Sequence, residues 1–288
     1  MLAKDENKVY SYGQELSEII ENDDKIERVN SLKDGIEKSE IIICPLPFTK
    51  DGKTINTNYS DKKIQIEDLD RLNKKKILIG GNFKTDYLNT IKEKYLKIYD
   101  IMKIEEFSIF NTIATAEGTV QVAIENTEKV LQGAKVLVLG FGRVAKIVAE
   151  KFKNLSATVT CCARKKTDLA WINAYGYNEL DIKDMIYYLK DFDIIINTVP
   201  ETIINEKELK HMNSNVLLID LASYPGGING KKAQSMGLKY VWALALPGKV
   251  APTSSAEFIK KIIYNIIEES AKNVELRDEK LEKISKKV

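Results

Sequence analysis

The chain has 288 residues, 44% of them hydrophobic, with 44 Lys plus Arg against 42 Asp plus Glu and a formal net charge of +2. That length is enough to bury a core and favours two domains over one. The near balance of charge lacks the electrostatic footprint of a nucleic-acid or acidic-membrane binder, so a small molecule is the expected partner. No apolar run approaches the roughly 20 residues that span a bilayer, and MLAKDENKVY lacks the apolar centre of a secretory signal. A cytoplasmic location is therefore expected. Cys44, Cys161 and Cys162 form no CxxC pattern and read as reduced thiols. The single histidine, His211, lies in the polar stretch EKELKHMNSN, which reads as a surface helix end. A histidine-based metal site or catalytic triad has no candidates, and no metal is expected.

Short β-branched runs alternate with amphipathic stretches, the pattern of parallel sheets covered by helices. Strands are expected at Val9 to Tyr12, Glu40 to Cys44 and Lys76 to Ile79, with helices around Lys25 to Lys38 and Asp86 to Lys97, making one incomplete α/β unit. From Asn111, NTIATAEGTVQVAIENTEKVLQG sets Val120, Ile124, Thr127 and Leu131 at helical spacing. Thr115 or Thr119 would be its cap and Gly133 its stop. A second series follows: strand Lys135 to Leu139, helix Arg143 to Lys153, strand Thr158 to Cys162, helix Thr167 to Ala174, then strands Asp193 to Thr198, Val216 to Asp220 and Lys239 to Ala243. About six parallel strands of this kind make a dinucleotide-binding sheet. The tail from Ser254 carries Phe258, Ile262, Ile263, Ile266 and Ile267 on one helical face, suited to packing back on the first domain, and ends in a charged stretch that reads equally as a solvated end.

The segment KVLVLGFGRVAKIVAEKF places Gly140, Gly142 and Ala145 in a GxGxxA pattern between an apolar strand and an amphipathic helix. Gly140 permits a tight turn, Gly142 lets the backbone approach a pyrophosphate, and Ala145 lets helix and strand pack closely. The phosphates would then meet the positive end of the helix opened by Arg143 and Val144. The plain alternative is a glycine-rich turn that only packs. At the end of the second strand, NAD proteins usually place an acid for the ribose hydroxyls. This chain reads TVTCCARKKTD, where Arg164, helped by Lys165 or Lys166, could hold a 2′-phosphate. NADP is thus expected over NAD, with Asp168 left as a ribose partner and a solvated basic turn as the alternative.

In INTVPETII, Asn197, Thr198 and Pro200 fall at the carboxyl edge of the sheet, beside the expected nicotinamide ribose. IDLASYPGGIN puts Asp220, Ser223, Gly226 and Gly227 on the matching edge, and WALALPGKVAPTSSAEF follows. Lys249 in that last loop and Arg143 are the basic groups that could meet a substrate carboxylate, against a reading of Lys249 as a surface lysine.

Taken in order, PLPFTKDGKTIN (45–56), TAEGTVQVAIE (115–125), GFGRVAK, INTVPE, IDLASYPGG and ALPGKVAP resemble the dipicolinate synthase A family, from about Val9 to the tail helix. The resemblance implies two α/β domains. A smaller flavodoxin-like domain would span residues 1–111 and be completed by the C-terminal helix 255–288. A doubly wound Rossmann domain would span 112–254, including a linker helix 112–132. The implied activity is NADP-dependent oxidation of a dihydrodipicolinate-like ring to dipicolinate in the mother cell of a spore-forming bacterium, with the flavoprotein-like B component of the synthase as partner; a homodimer is left open. A dicarboxylate substrate needs donors, for which Lys249, Arg143, Asn111 and Thr115 are candidates. Glu117 is a candidate proton acceptor, its plain reading being a helix N-terminal acid. Members of the family usually begin with a strand and a glycine-rich turn, whereas this chain opens MLAKDENKVYSYG, so a central strand is expected to be missing from the first sheet. The other readings are an NADP-dependent 2-hydroxyacid-type dehydrogenase, which lacks its histidine here, and a non-catalytic NADP-binding regulatory protein.

Overall fold

The computed structural model describes residues 1–21, 23–70, 76–84, 86–88 and 97–285. The chain divides into a unit of Met1–Ser108 with Ala256–Val288 and a unit of Ile109–Ser255. No helix among the described residues is long and apolar enough to cross a membrane.

In the first unit, β1 (Val9–Ser11) runs through α1 (Glu18–Glu21) to β2 (Ile26–Arg28), and α2 (Leu32–Lys38) leads to β3 (Ile41–Ile43). α3 (Ile66–Asp70), β4 (Ile77–Gly80) and β5 (Lys97–Asp100) follow. All ladders are parallel, in two sheets, β1–β2 and β3–β4–β5. Among the described residues no strand joins β1 to β3, and Ile43 on β3 is left 46% exposed. Two sequence expectations change. The helix expected from Lys25 begins only at Leu32, after Ser31 caps it by accepting from Asp34 N at 3.1 Å, because Ile26–Arg28 pair with Val9–Ser11. Lys97 opens a strand, not the end of a helix, because it pairs with Ile77; residues 89–96 of that expected helix lie outside the described residues.

The alternation of side chains along β4 divides two cores. Leu78 joins Ile36, Phe48 and Leu69 on one face, while Ile79 joins Ile101, Phe107 and the C-terminal helix on the other. That helix uses Ile262, Ile263 and Ile266, each at most 3% exposed, and each such burial contributes roughly 2 kcal/mol. The tail's apolar face therefore completes the first unit.

α4 (Glu105–Asn126) enters the second unit. It starts earlier than expected, on an acidic first turn of Glu105 and Glu106 that suits the helix N-terminus, and ends before Gly133. Thr115 and Thr119 are consequently not caps. Inside the helix their hydroxyls donate to the carbonyls of Asn111 and Thr115, at 2.8 and 2.7 Å. Next come β6 (Lys135–Leu139), α5 (Arg143–Asn154), β7 (Thr158–Ala163), α6 (Lys166–Ala174), β8 (Asn178–Asp181) and β9 (Ile194–Asn197). α7 (Glu206–Leu209), β10 (Leu217–Asp220), α8 (Gly230–Ser235), β11 (Lys239–Trp242), α9 (Leu246–Val250) and α10 (Pro252–Ser285) complete the chain.

The six strands are parallel in the order β11-β10-β9-β6-β7-β8, the doubly wound arrangement with its reversal between β6 and β9. Every residue of β9 and β10 is buried, and all of β6 beyond Lys135, as expected of strands covered on both faces. β8, which had no strand signal in the sequence, is an edge strand of sequence NELD in which only Leu180 is buried, so it carries no apolar run.

Candidate functional site

A cavity of about 510 Å³ opens at the reversal point, where β6, β7 and β9 end. Its floor is the turn after β6. Gly140 has φ +95°, and a Cβ there would stand 2.8 Å from Thr198 Oγ1 and 2.9 Å from Val199 Cγ2. The turn closes through Gly140 N–H to the Cys162 carbonyl at 2.8 Å. Gly142 is the N-cap of α5, with no side-chain cap, and a Cβ built on it meets nothing within 4 Å. Ala145 is fully buried against the sheet. A tight glycine turn, an uncapped helix start and open space at the second glycine together form a cradle that fits a dinucleotide pyrophosphate.

From β7 the cavity receives Arg164, Lys165 and, in the first turn of α6, Asp168. Arg164 and Lys165 are exposed, so two cations and one acid share this end. From β9 come Thr198 and Pro200. Thr198 donates its hydroxyl to the Leu139 carbonyl at 2.8 Å, leaving that oxygen as an acceptor. Six of the expected cofactor residues, Gly140, Gly142, Arg164, Lys165, Thr198 and Pro200, thus line one cavity. The wall also uses Ile182, just beyond β8, and Thr202 and Ile203, whose sequence gave no polar pattern to single them out.

The remaining candidates fall elsewhere. Asn197 is fully buried; both its amide hydrogens are engaged, by the Val199 carbonyl at 3.0 Å and Asp220 Oδ1 at 2.7 Å. It is a structural tie and does not line the cavity. Asp220, also fully buried, accepts further from the N–H groups of Ala222, Gly227 and Ile228, at 3.0, 2.8 and 3.0 Å. The pair locks the loops after β9 and β10 together. Arg143 and Val144 form the first turn of α5 outside the cavity lining, and Ser223 is exposed on the loop after β10, its carbonyl accepting from Gly226 N.

Glu117 loses its expected setting as a helix N-terminal acid. It lies in the middle of α4, not near an N-terminus, and its carboxylate pairs with Lys151 at 2.9 Å, in the last turn of α5. That position is about 12 Å along α5 from the phosphate-facing end. Thr115 cannot donate to a substrate carboxylate while its hydrogen is held by the Asn111 carbonyl. Lys249 is exposed on α9, which seats on α4 where Gly118 would bring a Cβ to 3.0 Å from Leu246 and 3.2 Å from Val250; Asn111 is half-buried on the same α4. The three cysteines are buried, and desolvation pushes their thiols up to about 12, which leaves them inert.

Residues 1–102 match the model of the N-terminal domain of the dipicolinate synthase A component, and residues 111–224 that of the NAD-binding domain of D-isomer specific 2-hydroxyacid dehydrogenases. The chain is 31% identical over 235 residues to the dipicolinate synthase A component of Bacillus subtilis, covering 81% of this chain and 79% of that one. The solved structure of the same component from Bacillus subtilis superposes with a TM-score of 0.83 at 28% identity, covering 93% and 90% of the two chains. That from Bacillus halodurans gives 0.81 at 29%, covering 92% and 91%. With a dinucleotide cradle on a doubly wound sheet and this likeness along both units, the chain is an NAD(P)-dependent oxidoreductase that belongs to the dipicolinate synthase A family.

Proposed function

We propose that this chain oxidises dihydrodipicolinate, derived from 4-hydroxy-tetrahydrodipicolinate, to dipicolinate with NADP, during sporulation in the mother cell and together with the flavoprotein-like B component of the synthase. The observation that carries the reading is the meeting of the Gly140–Gly142 phosphate turn with the basic end of β7 in one cavity of a chain of this family.

When bound, the nicotinamide supplies the hydride acceptor. Gly142, at the N-terminus of α5, would face the pyrophosphate, and Arg164 with Lys165 would hold the 2′-phosphate by charge-assisted hydrogen bonds. Asp168, in the same cavity, accepts from a ribose hydroxyl, and is the observation favouring NAD as the second reading. Lys249, with Asn111, meets a ring carboxylate. Loss of a hydride and a proton makes a dihydropyridine aromatic, so the proton passes to water without a strong base, which suits a chain whose one histidine is a surface residue hydrogen-bonded to Lys207 O.

The test supplies the precursor formed from aspartate semialdehyde and pyruvate, with NADP or NAD and with or without the B component. We expect NADP reduction with dipicolinate formed, and a loss of about ten-fold or more in NADP affinity in Arg164→Ala with NAD unaffected. Binding of NADP without turnover in the presence of the B component would replace this reading with that of a non-catalytic regulatory protein. A preference for NAD that Arg164→Ala leaves unchanged would overturn the cofactor assignment.

A further inference from the structure

Beyond the cavity, the carboxyl edge of the sheet carries two exposed aromatic side chains. Tyr224, on the loop after β10, is 86% exposed, and Trp242, the last residue of β11, is 38% exposed. Their rings lie 6.5 Å apart at 31°. The loop beneath them is held on every side. Trp242 Nε1 donates to the Ala222 carbonyl at 2.9 Å, Gly226 N to the Ser223 carbonyl at 2.8 Å, and Asp220 accepts from Ala222, Gly227 and Ile228. Gly226 takes φ +84°, and a Cβ there would stand 2.8 Å from Asp220 Oδ2. A loop fixed by a buried carboxylate and a left-handed glycine holds an aromatic ring out in water, where it buries almost nothing.

The placement is next to the proposed chemistry. Ile203, in the cavity wall, donates its N–H to the Gly227 carbonyl at 2.9 Å, and Asn197 ties Val199 of the same wall to Asp220. Adjacent strands lie about 4.8 Å apart, so β10 and β11 are the next positions along the edge from Thr198. Lys249 follows on α9, seven residues after Trp242.

We propose that Tyr224 and Trp242 form a stacking platform for the reacting ring, a six-membered nitrogen heterocycle carrying carboxylates that becomes planar and electron-poor on oxidation, with Lys249 available to one carboxylate. An electron-rich phenol and indole offer their negative faces to such a ring, and the contact strengthens as the ring flattens on aromatisation. The proposal rests on the dihydrodipicolinate reading above and identifies Tyr224 and Trp242 as substrate-orienting residues.

The experiment reads ring binding without turnover. The chain has two tryptophans, so Trp171→Phe leaves Trp242 as the sole indole reporter. This full-length variant is titrated with pyridine-2,6-dicarboxylate, with glutarate as a ringless dicarboxylate, and with NADP. We expect quenching by the pyridine alone, a dissociation constant raised roughly 2- to 12-fold by Tyr224→Ala, retention in Tyr224→Phe, and no change in thermal midpoint, since Tyr224 is solvent-exposed. No quenching by the pyridine, quenching by NADP only, or equal loss in the Phe and Ala variants would each overturn the platform. If the titration succeeds while the precursor assay gives no turnover, the dihydrodipicolinate reading fails and the platform stands as a pyridine-dicarboxylate site.

Discussion

Gly142→Ala should separate cofactor binding from folding, and Gly140→Ala should not, because the two glycines of one turn do different things. Gly142 has φ −81° and ψ −167°, a conformation open to any residue, and a Cβ built there meets nothing within 4 Å. The remaining cost is that of alanine at an N-cap, about 0.5–1 kcal/mol. The methyl would nonetheless stand where a pyrophosphate must approach the backbone, so NADP affinity should fall at least about ten-fold, or 1.4 kcal/mol. Gly140 has φ +95°, and its Cβ would press on Thr198 Oγ1 at 2.8 Å and Val199 Cγ2 at 2.9 Å. Strain of about 1–3 kcal/mol adds to overpacking of similar size, so this variant should lose stability as well as binding. Urea denaturation of both variants, with dinucleotide titration by calorimetry, gives the two quantities separately. Wild-type affinity in Gly142→Ala would refute the cradle, and wild-type stability in Gly140→Ala would refute the tight turn.

Other expectations follow from the same geometry. Asp220→Asn replaces one of two accepting oxygens by a donor; placed at the Oδ2 position, its amide faces the N–H groups of Gly227 and Ile228, now 2.8 and 3.0 Å away. Two charge-assisted bonds are lost, so unfolding in urea should come earlier by about 3 kcal/mol or more, and a change under 1 kcal/mol would contradict the tie between the two loops. Glu15 is held down from its ordinary value near 4.5 to about 2, chiefly by its hydrogen bond to Lys62. Since the folded value is the lower one, its contribution is present above pH 4.5 and lost as pH falls toward 2. For so exposed a pair it should stay below about 1 kcal/mol, and Glu15→Gln should flatten that part of the stability-pH profile. Cys44, Cys161 and Cys162 should resist thiol reagents until the chain is unfolded; rapid labelling of the native protein would show that their burial is wrong.

The second unit was legible in advance because its central strands are buried on both faces, so KVLVL, IIIN and LLID are continuous apolar runs and the glycine turn stands between a strand and a helix. The C-terminal helix was legible for a related reason: Ile262, Ile263 and Ile266 share one face, and an unpaired apolar face has to be buried. The cavity residues at the ends of β6 and β7 followed from the same pattern, because chain position alone puts them at the carboxyl edge. Elements whose residues are set by their neighbours were not legible. β8 is a polar edge, β2 exists because Ile26–Arg28 find β1 beside them, and β5 because Lys97–Asp100 find β4.

Side-chain direction and partnership were also beyond reach of the sequence. Asn197 and Thr198 are consecutive residues at one strand end, yet one turns inward to Asp220 and the other lines the cavity, since successive side chains point to opposite faces. Glu117 is tied by Lys151, 34 residues away, and Thr115 by a carbonyl of a helix that begins ten residues before it. Local pattern and glycine chemistry determined which fold forms and where its glycine-turn cavity lies. Which polar groups remain available there was decided by tertiary structure, because each hydrogen bond formed inside the protein removes a donor or acceptor that the sequence alone presents as equally available.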